Sequence, residues 1–405
     1  MINKVFRCRW LFPISRPPMQ RGWVLTRGHA ILDFGDRDPP SGYPVEDLGD
    51  VAILPGLVNA HTHLEFSGLA SPLGHPGIRL HEWVGLVIAS RNRRRRDPGR
   101  VIADGLAESQ AAGVRLIGEI ATTPWAGFRS QVTTETVAFA EVVGLLPERA
   151  AEKLAAAAAH LAKASVAPHL TGGVSPHAPY STSVDTVRRS VQLARRHGTP
   201  VAMHLAESVE ERELLEQGSG PFATLLQQMG LFDSGEFPLG DDAMLQFLEI
   251  LSQAPSGLVV HGNDLRRREL DFVEQHRTLT LVYCPRTHAF FGHPPHPFNE
   301  LLRRGAPVAL GTDSRASNPD LSVWNEVRWL LEHRSDVPWQ DVLAMATIHG
   351  ANALLRSDLG RIEAGAASGL IAVPGAAATA ERLVDEWIAG GAPRFITEEA
   401  NDATT

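Results

Sequence analysis

From Leu54 onward, short apolar runs that finish on a polar residue alternate with longer stretches of helical periodicity. The runs finish at His63, Glu119, Gly144, His177, His204, His261, Cys284 and Asp313. Helix-like segments between them include Leu80–Arg93, Val101–Ala112, Arg149–Ala164, Ser183–His197, Leu265–Gln275 and Phe298–Arg304. Glycine turns such as Ala112-Gly113-Val114, His197-Gly198-Thr199 and Arg304-Gly305-Ala306 separate the units. Eight strand–helix units in a row predict an α/β fold, a (β/α)8 TIM-like barrel over residues 54–354. In such a barrel the carboxyl ends of the strands gather on one face, where active sites lie.

The flanks read differently. Residues 1–53 give short runs punctuated by turns: Lys4–Leu11, Gly22–Thr26, Ala30–Phe34 and Val51–Leu54, with a Pro/Gly break at Asp38–Tyr43. Spacing of that kind predicts strands. Beyond a helix predicted over Trp339–Leu354, the run Gly369–Val373 reads as a last strand able to pair with the first ones. Both chain ends, residues 1–53 and 355–405, are therefore expected to build one small β-sandwich domain. The tail from about Gly390 is expected to pack poorly.

Composition narrows the classes. An apolar content of 43% and a charged content of 21% over 405 residues describe an ordinary globular chain. A net charge of −8 argues against nucleic-acid binding, which needs basic surface to displace counterions. Cys8 and Cys284 are the two cysteines, too few for a disulfide framework, so a cytoplasmic location is expected. No apolar run reaches about 18 residues, so no membrane contact is expected. The run Arg91-Asn92-Arg93-Arg94-Arg95-Arg96 reads as a solvated helix C-terminus, where cations oppose the helix dipole.

Chemistry enters with Leu57-Val58-Asn59-Ala60-His61-Thr62-His63. Residues i and i+2 of a strand share a face, so His61 and His63 can present two imidazoles to one metal ion. His204 closes Pro200–Met203, with Glu207 three residues later; His261 closes Gly257–Val260; Asp313 closes Pro307–Thr312. A strand-end histidine taken alone is more often a hydrogen-bonded core residue. Four such placements in barrel order point instead to a site.

His61-Thr62-His63, His204, His261 and Gly311-Thr312-Asp313 resemble the amidohydrolase superfamily in order and strand context. His204-Leu205-Ala206-Glu207 resembles the His-x-x-Glu of its metal-dependent deaminases and chlorohydrolases. The resemblance implies one divalent transition metal, Zn2+ first and Fe2+ as the alternative, held by His61, His63, His204 and Asp313. It implies Glu207 as proton shuttle, His261 as the group orienting water or substrate, and Asp313 as acceptor of the water's proton. Dinuclear relatives carry a lysine at the end of the fourth strand, and none stands near Val174–His177.

Two segments narrow the resemblance to the aminofutalosine deaminase branch: His63-Leu64-Glu65-Phe66-Ser67 with the Trp83 helix, and Asp313-Ser314-Arg315-Ala316-Ser317-Asn318. They suggest Glu65, Trp83 and Arg315 as substrate contacts; Ser175-Pro176-His177-Ala178-Pro179-Tyr180, which resembles the substrate-contacting strand end of adenosine-type deaminases, adds His177, and the strand end Cys284-Pro285-Arg286-Thr287-His288 adds Arg286 or His288. The implied reaction is deamination of an adenine-type nucleoside by metal-bound hydroxide, aminofutalosine being the first candidate, with release of ammonia. The alternatives are hydrolysis of another C–N or C–Cl bond of a nucleobase or triazine, and a barrel used only as a scaffold. The expected partners are a small-molecule substrate and, at most, a second copy of the chain in a homodimer.

Overall fold

A computed structural model describes residues 3–93, 97–122, 124–125, 134–167, 169–232, 237 and 239–396. Its centre is an eight-stranded parallel sheet. In chain order the strands are Leu57–Thr62, Val114–Ala121, Glu135–Val142, Leu170–Pro176, Val201–Leu205, Gly257–His261, Leu279–Tyr283 and Val308–Leu310. Each pairs with the next, and a bridge between Thr62 and Asp313 joins the eighth segment to the first. The barrel is thus closed at the residues expected to carry chemistry. Its interior is filled by Val58, Ala60, Leu116, Ile120, Val137, Phe139, Ala202, Leu258, Val260, Val282 and Ala309, a packed apolar plug beneath the mouth.

Burial on both faces explains the near-continuous apolar runs that betray these strands. Helices Leu80–Arg93, Pro98–Ala111, Pro147–Ala164, Val184–His197, Arg267–Gln275 and Phe298–Arg303 fall where periodicity puts them. Local chemistry sets their ends. Asp97 accepts from Arg100 N–H, Ser183 accepts from Thr186 N–H, and Gly198 closes its helix at φ 65°. Between the fifth and sixth strands the chain inserts three further helices, Val209–Gln217, Gly220–Gln228 and Ala243–Leu251. The expected helix over Trp339–Leu354 is two pieces, Trp339–Met345 and Ile348–Ala353. They break at Thr347, whose φ of −140° leaves the helix while its hydroxyl bonds the Leu343 carbonyl.

Two terminal sheets face each other. One is four-stranded, from Asn3–Arg7, Trp23–Arg27, Ala30–Gly35 and Val45–Asp47. The other is five-stranded and mixes both chain ends, with Leu370–Pro374 antiparallel to Val51–Pro55. Phe6, Leu11, Val24, Ile31, Ile53, Ile362 and Leu370 fill the space between them. The segment read as one strand over Lys4–Leu11 is two, because the chain leaves the first sheet at Cys8-Arg9 and joins the second at Trp10. The chain crosses from sheet to barrel at Gly56, where a Cβ would stand 2.6 Å from the Gly369 carbonyl and 2.5 Å from Arg115 Cβ.

The C-terminal segment is better packed than its sequence suggests. Helix Ala380–Ala389 lays fully buried Trp387 against Trp324 at 5.4 Å, and Arg394–Phe395 pairs with Leu370–Pro374. That helix leans on the barrel helix Val323–His333, not on the terminal sheets alone. The rest of the tail, from residue 397, lies outside the described residues.

Candidate metal centre and active site

Barrel closure brings the first and eighth strands together through a reciprocal pair. Asn59 Nδ2–H donates to Thr312 Oγ1, and Thr312 N–H donates to Asn59 Oδ1. Thr312 and Asp313 N–H both donate to the His61 carbonyl. Gly311 permits this approach, since a Cβ there would stand 2.9 Å from the same carbonyl. His61, His63 and Asp313 are thereby held together: both Nε2 atoms lie 3.6 Å from Asp313 Oδ1. His204 arrives from the fifth strand with its Nε2 3.2 Å from His63 Nε2. One ligand atom from each of His61, His63 and His204 lies within 4.8 Å of the others, and the same is true of His61, His261 and Asp313.

The protonation states follow from partners. His204 Nδ1–H donates to the His177 carbonyl at 3.0 Å, leaving a lone pair on the Nε2 that faces His63. Burial, reinforced by the neighbouring histidines, pushes His63 and His204 well below the ordinary imidazole range. Burial lowers His261 in the same way. Burial would raise Asp313, yet the facing imidazoles of His61 and His261, with Ser317 Oγ–H at 2.5 Å, hold it below the usual carboxylate range. Among the described residues, both ring nitrogens of His61 and Nδ1 of His63 are buried without a hydrogen-bond partner. Buried polar groups are rarely left so. Neutral imidazoles and one ionised carboxylate converging on one point fit a divalent metal ion.

Glu207 stands beside this cluster, 3.4 Å from His261 Nε2. Burial, with Asp313 and Glu211 close by, pushes its carboxyl well above the usual range, so it is held as an acid. Its loop is pinned: Glu211 accepts from Ala206 and Glu207 N–H, and Asn263 Nδ2–H donates to the Glu207 carbonyl. Ala206, His261 and Asp313 all adopt positive φ, at 54°, 70° and 54°. Three non-glycine residues in the left-handed region around one mouth mark strain held by the surrounding fold. His296 supports one of them, donating from Nε2 to the His261 carbonyl at 2.7 Å while its Nδ1 accepts from Phe298 N–H.

A cavity of about 510 Å³ opens over these groups. His63, His177, His204, Glu207, His261 and Asp313 form its floor, and Trp83, Phe66, Leu145, Tyr180, Phe222 and Leu226 are among its apolar walls. Ser181 Oγ–H donates to the Ala178 carbonyl, so Nδ1–H of His177 donates to Ser181 and leaves Nε2 as an acceptor. Trp83 lines the cavity with its Nε1–H fixed on the Ala316 carbonyl.

The other expected substrate contacts are not brought to the cavity wall. Glu65 is engaged by Arg91 at 2.5 Å. Arg286 is taken up by Glu326 at 2.7 Å, Asp320 at 2.5 Å and Asn318 at 2.6 Å. Arg315 turns toward Glu108 at 3.8 Å, and His288 bonds the Pro294 carbonyl. The cavity draws its cations from elsewhere: Arg91, Arg149 and Lys153.

Arg91 extends the reading of the arginine run: it stays exposed to solvent, as expected, but it also lies over the Phe66 ring and lines the cavity. Arg94–Arg96 lie outside the described residues. Sequence reasoning also missed Glu141, a buried acid on the third strand, and the wall from the helices after the fifth strand. The strand Glu135–Val142 carried the available signal, a charged residue one position before the end of an apolar run.

The amidohydrolase family model matches residues 52–393, and the chain belongs to that family. A 5-methylthioadenosine/S-adenosylhomocysteine deaminase of Nitratidesulfovibrio vulgaris is 29% identical over 389 residues, spanning 89% of this chain and 80% of the relative. An aminodeoxyfutalosine deaminase of Deinococcus radiodurans is 28% identical over 340 residues, 80% of this chain and 79% of the relative. In fold, the chain is similar to Helicobacter pylori aminofutalosine deaminase in complex with methylthio-coformycin. That match has a TM-score of 0.84, 21% identity, and coverage of 96% of this chain and 97% of that one. Among the described residues, no helix is long and apolar enough to cross a membrane.

Proposed function

We propose that this chain is a metal-dependent hydrolytic deaminase of an adenine-type nucleoside, with aminofutalosine the first candidate substrate. His61, His63, His204 and Asp313 would hold a single ion, Zn2+ by the donor set and Fe2+ as the alternative. When bound, the metal supplies an acidified water as nucleophile near neutral pH. Asp313, an ionised carboxylate at the floor, would accept the proton given up there. Glu207, kept protonated by burial, would donate to the ring nitrogen beside the carbon under attack, and the proton held by Asp313 would pass to the departing amino group, which leaves as ammonia. His261, 3.4 Å from Glu207, orients the reacting groups.

The observation that carries this reading is a buried, proton-holding Glu207 beside an imidazole cluster with unsatisfied nitrogens, all on one cavity floor. The family of the chain and the names of its relatives support an adenine nucleoside with an extended 5′ group. An apolar chamber of about 510 Å³ has room for one. A carboxylate on that group would meet Arg149 or Lys153, which take the part first expected of Arg286 and Arg315. Two free, buried cysteines agree with a cytoplasmic location.

The test compares aminofutalosine, S-adenosylhomocysteine, 5′-methylthioadenosine, adenosine, guanine and a chlorotriazine by ammonia release and adenine absorbance. Turnover of the extended adenine nucleosides is expected to exceed that of guanine and the triazine. Preference for guanine or the triazine, with the nucleosides inert, overturns the reading.

A further inference from the structure

Glu141 has no role in the chemistry above, yet it is placed as though for a ligand. It stands one residue before the end of the third strand, in the inward series Val137, Phe139, Glu141. Val137 and Phe139 belong to the barrel plug, so Glu141 is the first group of that series to reach the mouth. It is 7% exposed and lines the cavity. Among the described residues, its Oε1 has no hydrogen-bond partner. Burial raises its carboxyl, while the charges of Arg91 and Lys153 pull it back. Both of those cations line the same cavity.

An unpartnered buried carboxylate oxygen calls for a donor from a ligand. Two kinds of donor fit an acid: an ammonium or a hydroxyl. Arg91 and Lys153 decide between them, because an ammonium at Glu141 would face two like charges lining the same cavity. A hydroxyl carries no charge, and it also accepts. Arg91 gives one N–H to Glu65 at 2.5 Å and has further donors in its guanidinium fork. An acceptor and a donor lining the same cavity, close enough for their charges to interact, match a group that both donates and accepts.

We propose that Glu141, with Arg91 beside it, recognises a sugar hydroxyl of the nucleoside and so sets the preference for a ribosyl over a deoxyribosyl substrate. This rests on the nucleoside deaminase reading. Glu141 is a specificity residue: it touches the substrate away from the reacting carbon and leaves proton transfer to Glu207.

The experiment is a cycle of enzyme and substrate changes on the metal-loaded full chain. Wild type, Glu141→Gln and Glu141→Ala are each assayed on adenosine, 2′-deoxyadenosine and 3′-deoxyadenosine, with metal content and melting temperature as controls. Wild type should lose about 10- to 100-fold in kcat/KM on one of the deoxy substrates. Glu141→Ala should lose a similar factor on adenosine and nothing further on that deoxy substrate, with Glu141→Gln in between. Equal losses by the variants on all three substrates, or no discrimination by wild type, overturn the assignment while leaving the deaminase intact. No turnover of any adenine nucleoside by wild type overturns the deaminase reading, and this proposal with it. A 5′-amino-5′-deoxyadenosine arm reads the rejected alternative: coupling of Glu141 to the amine instead of a hydroxyl also overturns the proposal.

Discussion

Two buried polar clusters meet the segment that follows the eighth barrel strand, and they are built in opposite ways. In one, Arg286 is held by Glu326, Asp320 and Asn318, while Asn318 Nδ2–H donates to both Glu326 and the Thr312 carbonyl at 2.8 Å. Glu326 is fully buried and has Arg286 N–H as a further donor. Charges are paired and lone pairs used. In the other, His61 is equally buried with neither ring nitrogen partnered, and Glu141 keeps an empty oxygen. A saturated network specifies shape, because removing any member leaves a charge stranded. An unsaturated one is tolerated when a ligand completes it. Ser317 bridges the two, bonding Thr287 on one side and Asp313 Oδ2 on the other, so the rigid cluster braces the reactive one.

The sharpest way to break the comparison is to remove a donor from the unsaturated cluster. His204→Ala should lower bound metal far below one ion per chain and reduce turnover by about 10³-fold or more, since a catalytic metal supplies several kcal/mol. Melting measured on metal-stripped protein should change little by comparison. Metal analysis alongside turnover checks both. Unchanged metal content would remove His204 from the ligand set.

Glu207→Gln asks whether the acid serves chemistry or merely holds the loop. Turnover should fall by about 10²–10⁴-fold with metal retained. Stability at neutral pH should hold or rise, because the unfolded chain ionises this carboxyl above about pH 4.5 while the buried one keeps its proton, a difference that costs stability as the pH rises. Activity, metal content and a denaturant melt on one preparation separate these effects. Full activity in this variant would leave the shuttle role without support.

Arg286→Met is the converse test, aimed at the saturated cluster. It strands Glu326, so stability should fall by about 3–5 kcal/mol. Activity per folded, metal-loaded molecule should stay within about a factor of three, since Arg286 does not line the cavity. Chemical denaturation gives the first quantity and active-site titration the second.

The comparison also shows what a sequence can disclose. The barrel was legible because burial on both faces writes continuous apolar runs, and each run marks its own end with a polar residue. His61, His63, His204, His261 and Asp313 were legible for the same reason, being local to strand ends. Arg286 and Arg315 could not be placed from sequence, because a cation's partner is a tertiary fact. Nothing in Cys284-Pro285-Arg286 announces Glu326 forty positions on, or Asn318 and Asp320 between them. Arg91 was read only in part, since nothing in the run around it announces that this exposed guanidinium also reaches Phe66, Glu65 and the cavity. The wall from Gly220–Gln228 escaped for a simpler reason: Phe222 and Leu226 look like any helix core until the cavity beneath them is seen.

A third group of polar side chains, buried His296 with half-buried His288 and His293, offers the smallest test. His288 and His296 rings lie 5.4 Å apart, and His288 and His293 rings 5.6 Å apart. Burial first, then the neighbouring His293, pushes His288 down to about 4. The sign follows from proton uptake. An unfolded chain takes a proton on this ring near pH 6.5, whereas the folded one resists until about pH 4. Stability is therefore intact above pH 6.5 and lost as the pH falls through that window, on the order of 1–2 kcal/mol for a ring that is only partly buried. His288→Gln keeps a donor for the Pro294 carbonyl but cannot titrate, so its stability should decline less steeply from pH 6.5 to 4 than that of wild type. Denaturant melts at half-unit pH steps would measure the two slopes. Parallel slopes would mean that His288 already carries its proton in the folded chain, and that this third cluster is solvated rather than sealed.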